Sequence, residues 1–201
     1  MELIAVLGRT AAFSFAAGVN LYATVAMLGL AARFAWVDLP PQFAVFDNPW
    51  VIGAALALYA VEFFADKIPY VDTLWDVLHT AIRPLGGALI AVASLGDASP
   101  AVQGLAALAG GTLAAGSHLT KAGTRAVVNT SPEPVSNWLV SLAEDGFVIG
   151  LGLLALSYPV AALTVVAVLA LLIAACAAAL VRAIRGRFAR GLDPGRPAVV
   201  G

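Results

Sequence analysis

Long apolar segments constrain this chain more than any other feature of its sequence. Six can be read, each able to cross about 30 Å of hydrocarbon, some only with tilt or protein cover. They cover residues 11–32, 49–65, 83–96, 101–120, 135–157 and 158–181. Hydrocarbon offers the backbone no hydrogen-bond partners, so such segments must be helices. The sequence therefore predicts an all-α integral membrane protein with about six transmembrane helices.

The composition supports this class and excludes others. The chain is 61% hydrophobic and 11% charged, whereas a soluble domain has about 25% charged residues. A net charge of −1 without a basic stripe excludes nucleic acid as a partner. One cysteine, Cys176, and two histidines exclude disulfides and leave too few ligands for a thiolate or multi-histidine metal site. Neither a metal nor a cofactor is expected. Residues 1–4 lack the basic region of a cleavable signal, so we expect the first segment to be retained.

The basic residues predict the orientation. With both termini in the cytoplasm, Arg33 alone among them lies outside, as the positive-inside rule favours. We therefore predict a multi-pass protein of the inner (plasma) membrane with a single membrane domain, 1–185. Residues 186–201 are predicted to be a flexible basic cytoplasmic tail. The short third segment is predicted to continue a helix that begins near Tyr70 and bends at Pro84.

Two internal echoes bear on the architecture. Residues 16–21 resemble residues 114–119, which is typical of an inverted repeat of three plus three helices. Residues 75–94 also resemble residues 138–157, but those segments have the same orientation, so one simple repeat cannot contain both echoes. Membrane sequences rich in alanine and glycine produce such matches by chance. An inverted repeat stays an open alternative.

Two adjacent acids, Glu144 and Asp145 (the acid pair), lie inside the fifth apolar segment. An ionised acid near the bilayer centre costs about 2.5–3.5 kcal/mol on insertion scales, so intramembrane acids are functional candidates by default. Alternatively, the helix starts later and the pair lies at its interfacial end, where it would stabilise the N-terminus. The remaining segment, 146–157, would then be too short to span alone.

His118, Lys121 and Arg125 (the cationic ridge) share one helical face because their spacing is i, i+3, i+7. A short link joins this helix to the next, so the cationic ridge is the expected partner of the acid pair. The alternative is a snorkelling cap at the membrane surface, which accounts for the lysine and arginine but less well for the histidine.

The link between the second and third segments is densely charged. Glu62 and Asp66 lie one turn apart, and a polar stripe follows at helical spacing, consisting of Asp72, Asp76, His79 and Arg83. Such a stripe is usually the solvated face of an interfacial helix; alternatively, it lines a cytoplasmic vestibule that selects or relays cations or protons. Asn20, in the middle of the first segment, predicts either an interhelical hydrogen bond or a break in the helix.

Enzyme motifs are absent: the sequence has no nucleophile elbow, zinc-protease motif, P-loop or dinucleotide-binding glycines. We therefore expect a protein that is not an enzyme. Several polar motifs instead resemble a family of small bacterial inner-membrane proteins catalogued as a domain of unknown function. They are Ala65-Asp66-Lys67-Ile68-Pro69-x-Val71-Asp72, His79-Thr80-x-Ile82-Arg83-Pro84 and Asn129-Thr130-Ser131-Pro132-Glu133-Pro134, with Glu144-Asp145. The resemblance brings no substrate or activity.

These observations favour a small transporter or channel that moves a small solute or ion. Its polar path would contain the acid pair, the cationic ridge, Asn20 and Glu62, with a cytoplasmic mouth of Asp66, Asp76, His79 and Arg83. The alternative is a non-transporting scaffold or accessory protein whose buried charge pairs only fix helix packing. A lipid-handling enzyme or flippase is the third interpretation. Membrane lipids are the expected partners, and a homo-oligomer is left open.

Overall fold

The computed structural model describes residues 2–130 and 134–191, which are mostly helical, with no strand among them. In chain order the helices are α1 (Glu2–Val19), α2 (Leu21–Arg33), α3 (Pro49–Ala65), α4 (Pro69–Ala93), α5 (Pro100–Val128), α6 (Pro134–Ser157) and α7 (Pro159–Gly191). A short 3-10 helix, Pro41–Phe46, lies between α2 and α3.

Local sequence signals account for the helix starts. The five helices from α3 to α7 each begin at a proline, a residue whose fixed φ and missing N–H suit the first helical position. Asn48 accepts a hydrogen bond from the Trp50 N–H at 2.9 Å and so caps α3, and Ser99 caps α5 in the same way. The bounds of α3 and α6 therefore agree closely with the second and fifth apolar segments.

The first predicted span is not one helix but a hairpin of α1 and α2. Asn20 has extended backbone angles between them, with φ −146° and ψ 100°. A Cβ on Gly152 of α6 would contact both Phe13 of α1 and Met27 of α2. In a straight helix these two residues would lie about 21 Å apart, so the chain must turn back at Asn20. The prediction of a single span over 11–32 is wrong, and the alternative of a break at Asn20 is correct.

Contacts of α1 show at which end of the bundle the hairpin begins. Arg9 of α1 donates to the Leu156 carbonyl at 3.3 Å, beside the turn between α6 and α7. Glu2 and Arg9 also line one cavity with Asp38 and Gln42. The start of α1 therefore lies with the 34–48 loop at one end of the bundle, the upper end. At the opposite, lower end, Asn129 after α5 donates to Asp72 of α4 at 2.7 Å.

The α7 helix begins at the upper end and runs toward the lower end, so the two described chain ends lie at opposite ends of the bundle. The prediction that both termini lie on one side of a membrane is therefore not confirmed. That prediction counted residues 11–32 as one crossing, whereas α1 and α2 together return to the end at which they began.

The hairpin lies at the centre of the packing. α1 packs against α4, α5, α6 and α7, and it contributes Phe13 and Phe15 to a core that also contains Leu28, Phe43 and Val148. Large apolar side chains elsewhere point outward, as expected for lipid contact. Within the described residues, four helices are long and apolar enough to cross a membrane: α1 and residues 70–93, 135–157 and 159–187. The chain is thus an all-helical membrane protein.

The α4 helix continues without interruption from Pro69 to Ala93, with Pro84 inside it. This confirms that the third apolar segment is the second half of a longer helix; the bend at Pro84 stays a prediction. The α7 helix reaches Gly191, so the first residues of the predicted tail are helical. Residues 192–201 lie outside the described residues.

Candidate functional site

A cluster of charged side chains fills the lower half of the bundle interior. It extends from the start of α4 up to Arg83, a rise of about 21 Å over fourteen helical residues. The charged cluster consists of Glu62, Asp66, Lys67, Asp72, Asp76, Arg83, Lys121, Arg125, Glu144 and Asp145. Helices α3, α4, α5 and α6 supply these residues with the link between α3 and α4, so the lower ends of four helices meet around them.

The polar stripe of α4 faces inward. Asp72, Asp76, His79 and Arg83 are at most 4% exposed, while the apolar side chains on the opposite face of α4, such as Leu74 and Val77, are more than 60% exposed. The interpretation of the stripe as a solvated face is therefore wrong. The helix is amphipathic, but its polar face meets the charged cluster and its apolar face meets the surroundings.

Arg83 is the deepest cation of the charged cluster and is completely buried. It donates to Glu62 Oε1 at 2.7 Å and to Asp76 Oδ1 at 3.1 Å. It also approaches the Gly18 carbonyl at 3.5 Å, one of the last carbonyls of α1. The end of α1 thus lies against a cation, as expected for the negative end of a helix dipole.

Lys121 and Arg125 of the cationic ridge connect Asp66 and Glu144. Lys121 donates to Asp66 at 2.8 Å and to the Val19 carbonyl at 3.2 Å, and it lies 3.5 Å from Glu144. Arg125 donates to both Glu144 oxygens at 2.8–3.1 Å. Both cations are buried. Because a snorkelling side chain would reach the membrane surface, the interpretation of the ridge as a snorkelling cap is wrong.

The two members of the acid pair have different partners. Glu144 pairs with Arg125 and Lys121. Asp145 accepts a hydrogen bond from Asn20 Nδ2 at 3.2 Å, and the side-chain carbonyl oxygen of Asn20 caps α2 by accepting from the Ala23 N–H at 2.9 Å. Asn20 therefore makes the predicted interhelical hydrogen bond and also marks the predicted break.

Both histidines make hydrogen bonds through their two ring nitrogens. Arg83 donates to His118 Nδ1 at 2.8 Å, and because arginine has no acceptor, that nitrogen is unprotonated and His118 is neutral. Its Nε2–H then donates to the Thr80 hydroxyl at 3.2 Å. His79 Nδ1 donates to the Trp75 carbonyl at 2.7 Å, and its Nε2 lies 2.9 Å from the Tyr22 hydroxyl.

Lys67 is the fourth cation of the charged cluster and lies on the link between α3 and α4. Its Nζ donates to the Phe63 carbonyl at 2.8 Å and lies 3.1 Å above the centre of the Phe63 ring. It also reaches the Ser141 hydroxyl at 3.4 Å. Burial in this position lowers the pKa of the Lys67 ammonium below its ordinary value.

The charges in the cluster do not balance. It holds six carboxylates and four cations, so with neutral histidines its formal charge is −2. Among the described residues, five of these acids each have one buried oxygen without a hydrogen bond: Glu62, Asp66, Asp72, Asp76 and Asp145. No group of three or more metal-ligating side chains is arranged to hold a metal ion in the described part of the chain. Protons or monovalent cations would neutralise the excess.

Above Arg83, small residues close the interior. We call Ser14, Gly87, Ala91, Gly110 and Ala114 the glycine seam. Ser14 donates to the Gly87 carbonyl at 3.0 Å, and a Cβ on Gly110 would lie 2.5 Å from the Gly87 carbonyl oxygen. Such close backbone contact is typical of helix packing in membranes. The polar interior therefore ends near the middle of the bundle.

A cleft of about 370 Å³ reaches the charged cluster from the side, between α5, α6 and α7. Lys121 and Glu144 lie at its polar end, and Phe147, Leu172 and Ile173 belong to its apolar walls. Glu144 is therefore accessible from the cleft, and its side chain is 14% exposed.

The structure places all of the sequence-predicted site residues in or beside the charged cluster, but several polar residues of the same region were not predicted. Asn137 accepts from Arg125 at 2.6 Å and donates to the Asp66 carbonyl at 3.1 Å. Ser141 contacts Lys67, and Tyr22 contacts His79. A signal existed for two of them: Asn137 and Ser141 recur at four-residue spacing with Asp145, so they share one face of α6.

Comparisons with known proteins bear on the family and not on the activity. No curated protein and no solved structure matches this chain. The polar family motifs suggested by the sequence supply Asp66, Lys67, Asp72, His79 and Arg83 to the network described above. Residues 7–179 match the model of the family described as Domain of unknown function (DUF4126), and the chain belongs to that family.

Proposed function

We propose that this protein is a small membrane transporter or channel that moves a small solute or ion through the polar lower half of its bundle. The observation that carries the proposal is the excess of two carboxylates in a buried network. An uncompensated buried charge is costly, so the network should take up protons or cations. Uptake and release of such ions is what a coupled transporter requires.

The broken first helix supports the same proposal. Transporters commonly place their sites at discontinuous helices, whose ends offer partial charges and free carbonyls. Here the last carbonyls of α1, on Gly18 and Val19, accept from or approach Arg83 and Lys121. The N-terminus of α2 points at Asp145 through Asn20. Closure of the glycine seam above the network means that transport would need the seam or the hairpin to move.

We place the lower end in the cytoplasm of a plasma-membrane protein. Arg182, Arg185 and Arg187 are exposed near the end of α7, and exposed basic residues favour the cytoplasmic side. The buried cations say little about orientation because they pair with acids. Helices α3 to α7 would then cross the membrane. The tip of the α1–α2 hairpin would lie about 16 Å below Gly8, near the middle of a bilayer about 30 Å thick.

Cysteine labelling tests this placement. In a Cys176→Ser background, cysteines at Asp38 and Asp97 should react with an impermeant maleimide from outside the cell, and a cysteine at Arg187 should not. Outside labelling at position 187 would overturn the orientation.

Two other functions each have an observation in their favour. The pairing of each of the four buried cations with an acid or a carbonyl, together with the closed glycine seam, favours a scaffold whose charges only fix helix packing. The cleft with apolar walls favours a lipid-handling enzyme or flippase.

Solute profiling of a strain that lacks the protein tests the transport proposal. Wild-type protein and the control Asp97→Asn, which removes an exposed acid at the upper end, should restore the solute profile. Glu144→Gln, produced at the same level, should not restore it. Full restoration by Glu144→Gln, or a profile unchanged by the deletion, would overturn the proposal.

A further inference from the structure

The cleft between α5, α6 and α7 has the dimensions of a ligand site. Its volume, about 370 Å³, lies within the range of about 300–1,000 Å³ that is usual for small-molecule pockets. Phe147, Leu169, Leu172 and Ile173 contribute to its apolar walls. The polar groups lie at Ser117, Thr120, Lys121, Thr124 and Glu144. A ligand that fits must therefore be amphipathic.

The hydrogen-bonding capacity of the polar end determines whether the cleft suits an anionic or a cationic ligand. Lys121 directs its N–H groups to Asp66, to the Val19 carbonyl and toward Glu144. The N–H groups of Arg125 are directed at Glu144, the Asp66 carbonyl and Asn137. Neither cation therefore offers a free donor to an anion in the cleft.

The remaining polar groups of the cleft are acceptors, because each hydroxyl uses its proton on a backbone carbonyl. The Ser117 hydroxyl donates to the Phe15 carbonyl at 2.7 Å. The Thr120 hydroxyl donates to the Gly116 carbonyl at 2.8 Å, and the Thr124 hydroxyl donates to the Thr120 carbonyl at 2.9 Å. Both hydroxyl oxygens keep lone pairs that can accept. The Glu144 carboxylate accepts from Arg125, but its Oε1 accepts only one of these bonds and keeps a lone pair. Glu144 is also the accessible acid of a cluster with a formal charge of −2. The cleft therefore suits a cation that carries N–H donors.

We infer that this cleft binds a small hydrophobic amine in its protonated form, with the ammonium on Glu144 and the apolar part between α6 and α7. The inference rests on the proposed function and names the substrate class for it. A phospholipid headgroup would bring a phosphate, for which the cleft holds no free donor. A free organic amine is thus the favoured source of the ammonium, and a lipid amine is the other.

Binding can be measured on the full chain in phosphatidylcholine nanodiscs by isothermal titration calorimetry. The probes are phenethylammonium, 3-phenylpropionate, which has similar size and opposite charge, and trimethylphenethylammonium, which keeps the charge but has no N–H. We expect phenethylammonium to bind at least about tenfold more tightly than the other two, because a charge-assisted hydrogen bond distinguishes them. Equal binding of the three would overturn the inference.

A matched pair of variants tests the location. Leu172→Trp adds bulk to the apolar wall of the cleft on α7 and changes no charge, and it should weaken phenethylammonium binding about tenfold or more. Leu171→Trp, at an adjacent exposed position outside the cleft lining, should leave binding within about twofold. Glu144→Gln should weaken it like Leu172→Trp. Unchanged binding in Leu172→Trp would overturn the site.

A second arm separates the two sources of the ammonium. If phosphatidylethanolamine in the nanodiscs displaces the probe, the lipid amine occupies the cleft; if it does not, a free amine does. No ion gradient is present in these experiments, so a failure to bind refutes the substrate class and leaves the transport proposal to solute profiling. Binding with an unchanged solute profile would refute transport and leave the site.

Discussion

The two halves of the α4–α5 pair carry opposite kinds of residue. In the upper half the helices meet through Gly87, Ala91 and Gly110, whose small side chains let the backbones touch. In the lower half the same helices carry long charged side chains, Arg83 on α4 and Arg125 on α5, which pair with acids of α3 and α6. One helix pair therefore combines a close apolar contact with a charged interior.

The difference separates a structural region from a candidate functional one. Lipid tails are as apolar as leucine, so helices in a membrane gain more from close packing than from apolar burial. The glycine seam provides such close packing. The charged cluster would be an expensive way to achieve the same contact because buried ion pairs rarely add stability over apolar residues. The presence of the charged cluster in a bundle that can also pack through glycine favours a role beyond packing.

The largest expected effect is on the charged half. Arg83→Gln leaves Glu62 and Asp76 without their main cation and should lower the free energy of unfolding by about 3–5 kcal/mol. The measurement is a thermal melt in detergent. The control is Arg182→Gln, which removes an exposed arginine on α7 and should change the melt little. An equal loss in both variants would remove the distinction between buried and exposed cations.

The next effect concerns the glycine seam. Gly110→Val should cost about 1–3 kcal/mol, because its side chain would meet the α4 backbone at Gly87 and force the helices apart. Gly104→Val is the matched control: it lies on the same helix, and a Cβ there meets nothing within 4 Å. Similar melting temperatures for the two valine variants would show that the seam is not a close contact.

A third effect separates the two members of the acid pair. Arg125→Gln and Glu144→Gln should be coupled in a double-mutant cycle by about 0.5–3 kcal/mol because their side chains pair directly. Arg125→Gln and Asp145→Asn should be additive to within about 0.5 kcal/mol, since Asp145 bonds to Asn20 instead. The sequence predicted either acid as the partner of Arg125. Coupling confined to Asp145 would contradict the arrangement in the structure.

The smallest effect concerns the break between α1 and α2. Asn20→Ala removes a helix cap and should cost about 1 kcal/mol, as Asn48→Ala should at the cap of α3. Of the two, only Asn20 also contacts the charged cluster, through Asp145. We expect Asn20→Ala, but not Asn48→Ala, to impair restoration of the solute profile. Impairment by both variants at equal protein levels would assign the effect to stability.

Much of the fold could be predicted from hydropathy because apolar length and proline positions determine where helices begin and end. Two features could not. A lone Asn20 in an apolar run is compatible with a straight helix or a hairpin, and the choice depends on contacts with α6 that are distant in sequence. The stripe ending at Arg83 has the same helical period whether its polar face meets water or buried acids.

The candidate site was predictable to the extent that its residues are costly in a membrane. Glu144, Lys121 and Arg83 stand out because an intramembrane charge needs a partner. Asn137 and Tyr22 did not stand out because neutral polar side chains occur in helices for many reasons. The pairing of acids with cations depends on how the helices rotate against one another, and no local pattern determines that.

The double variant Arg125→Gln with Glu144→Gln tests whether the charged cluster does more than hold the helices together. Its melting curve in detergent and its restoration of the solute profile are measured beside both single variants. We expect the double variant to recover stability that each single variant loses, and still to fail to restore the profile. A stable double variant that restores the profile fully would refute a role beyond packing and favour the scaffold.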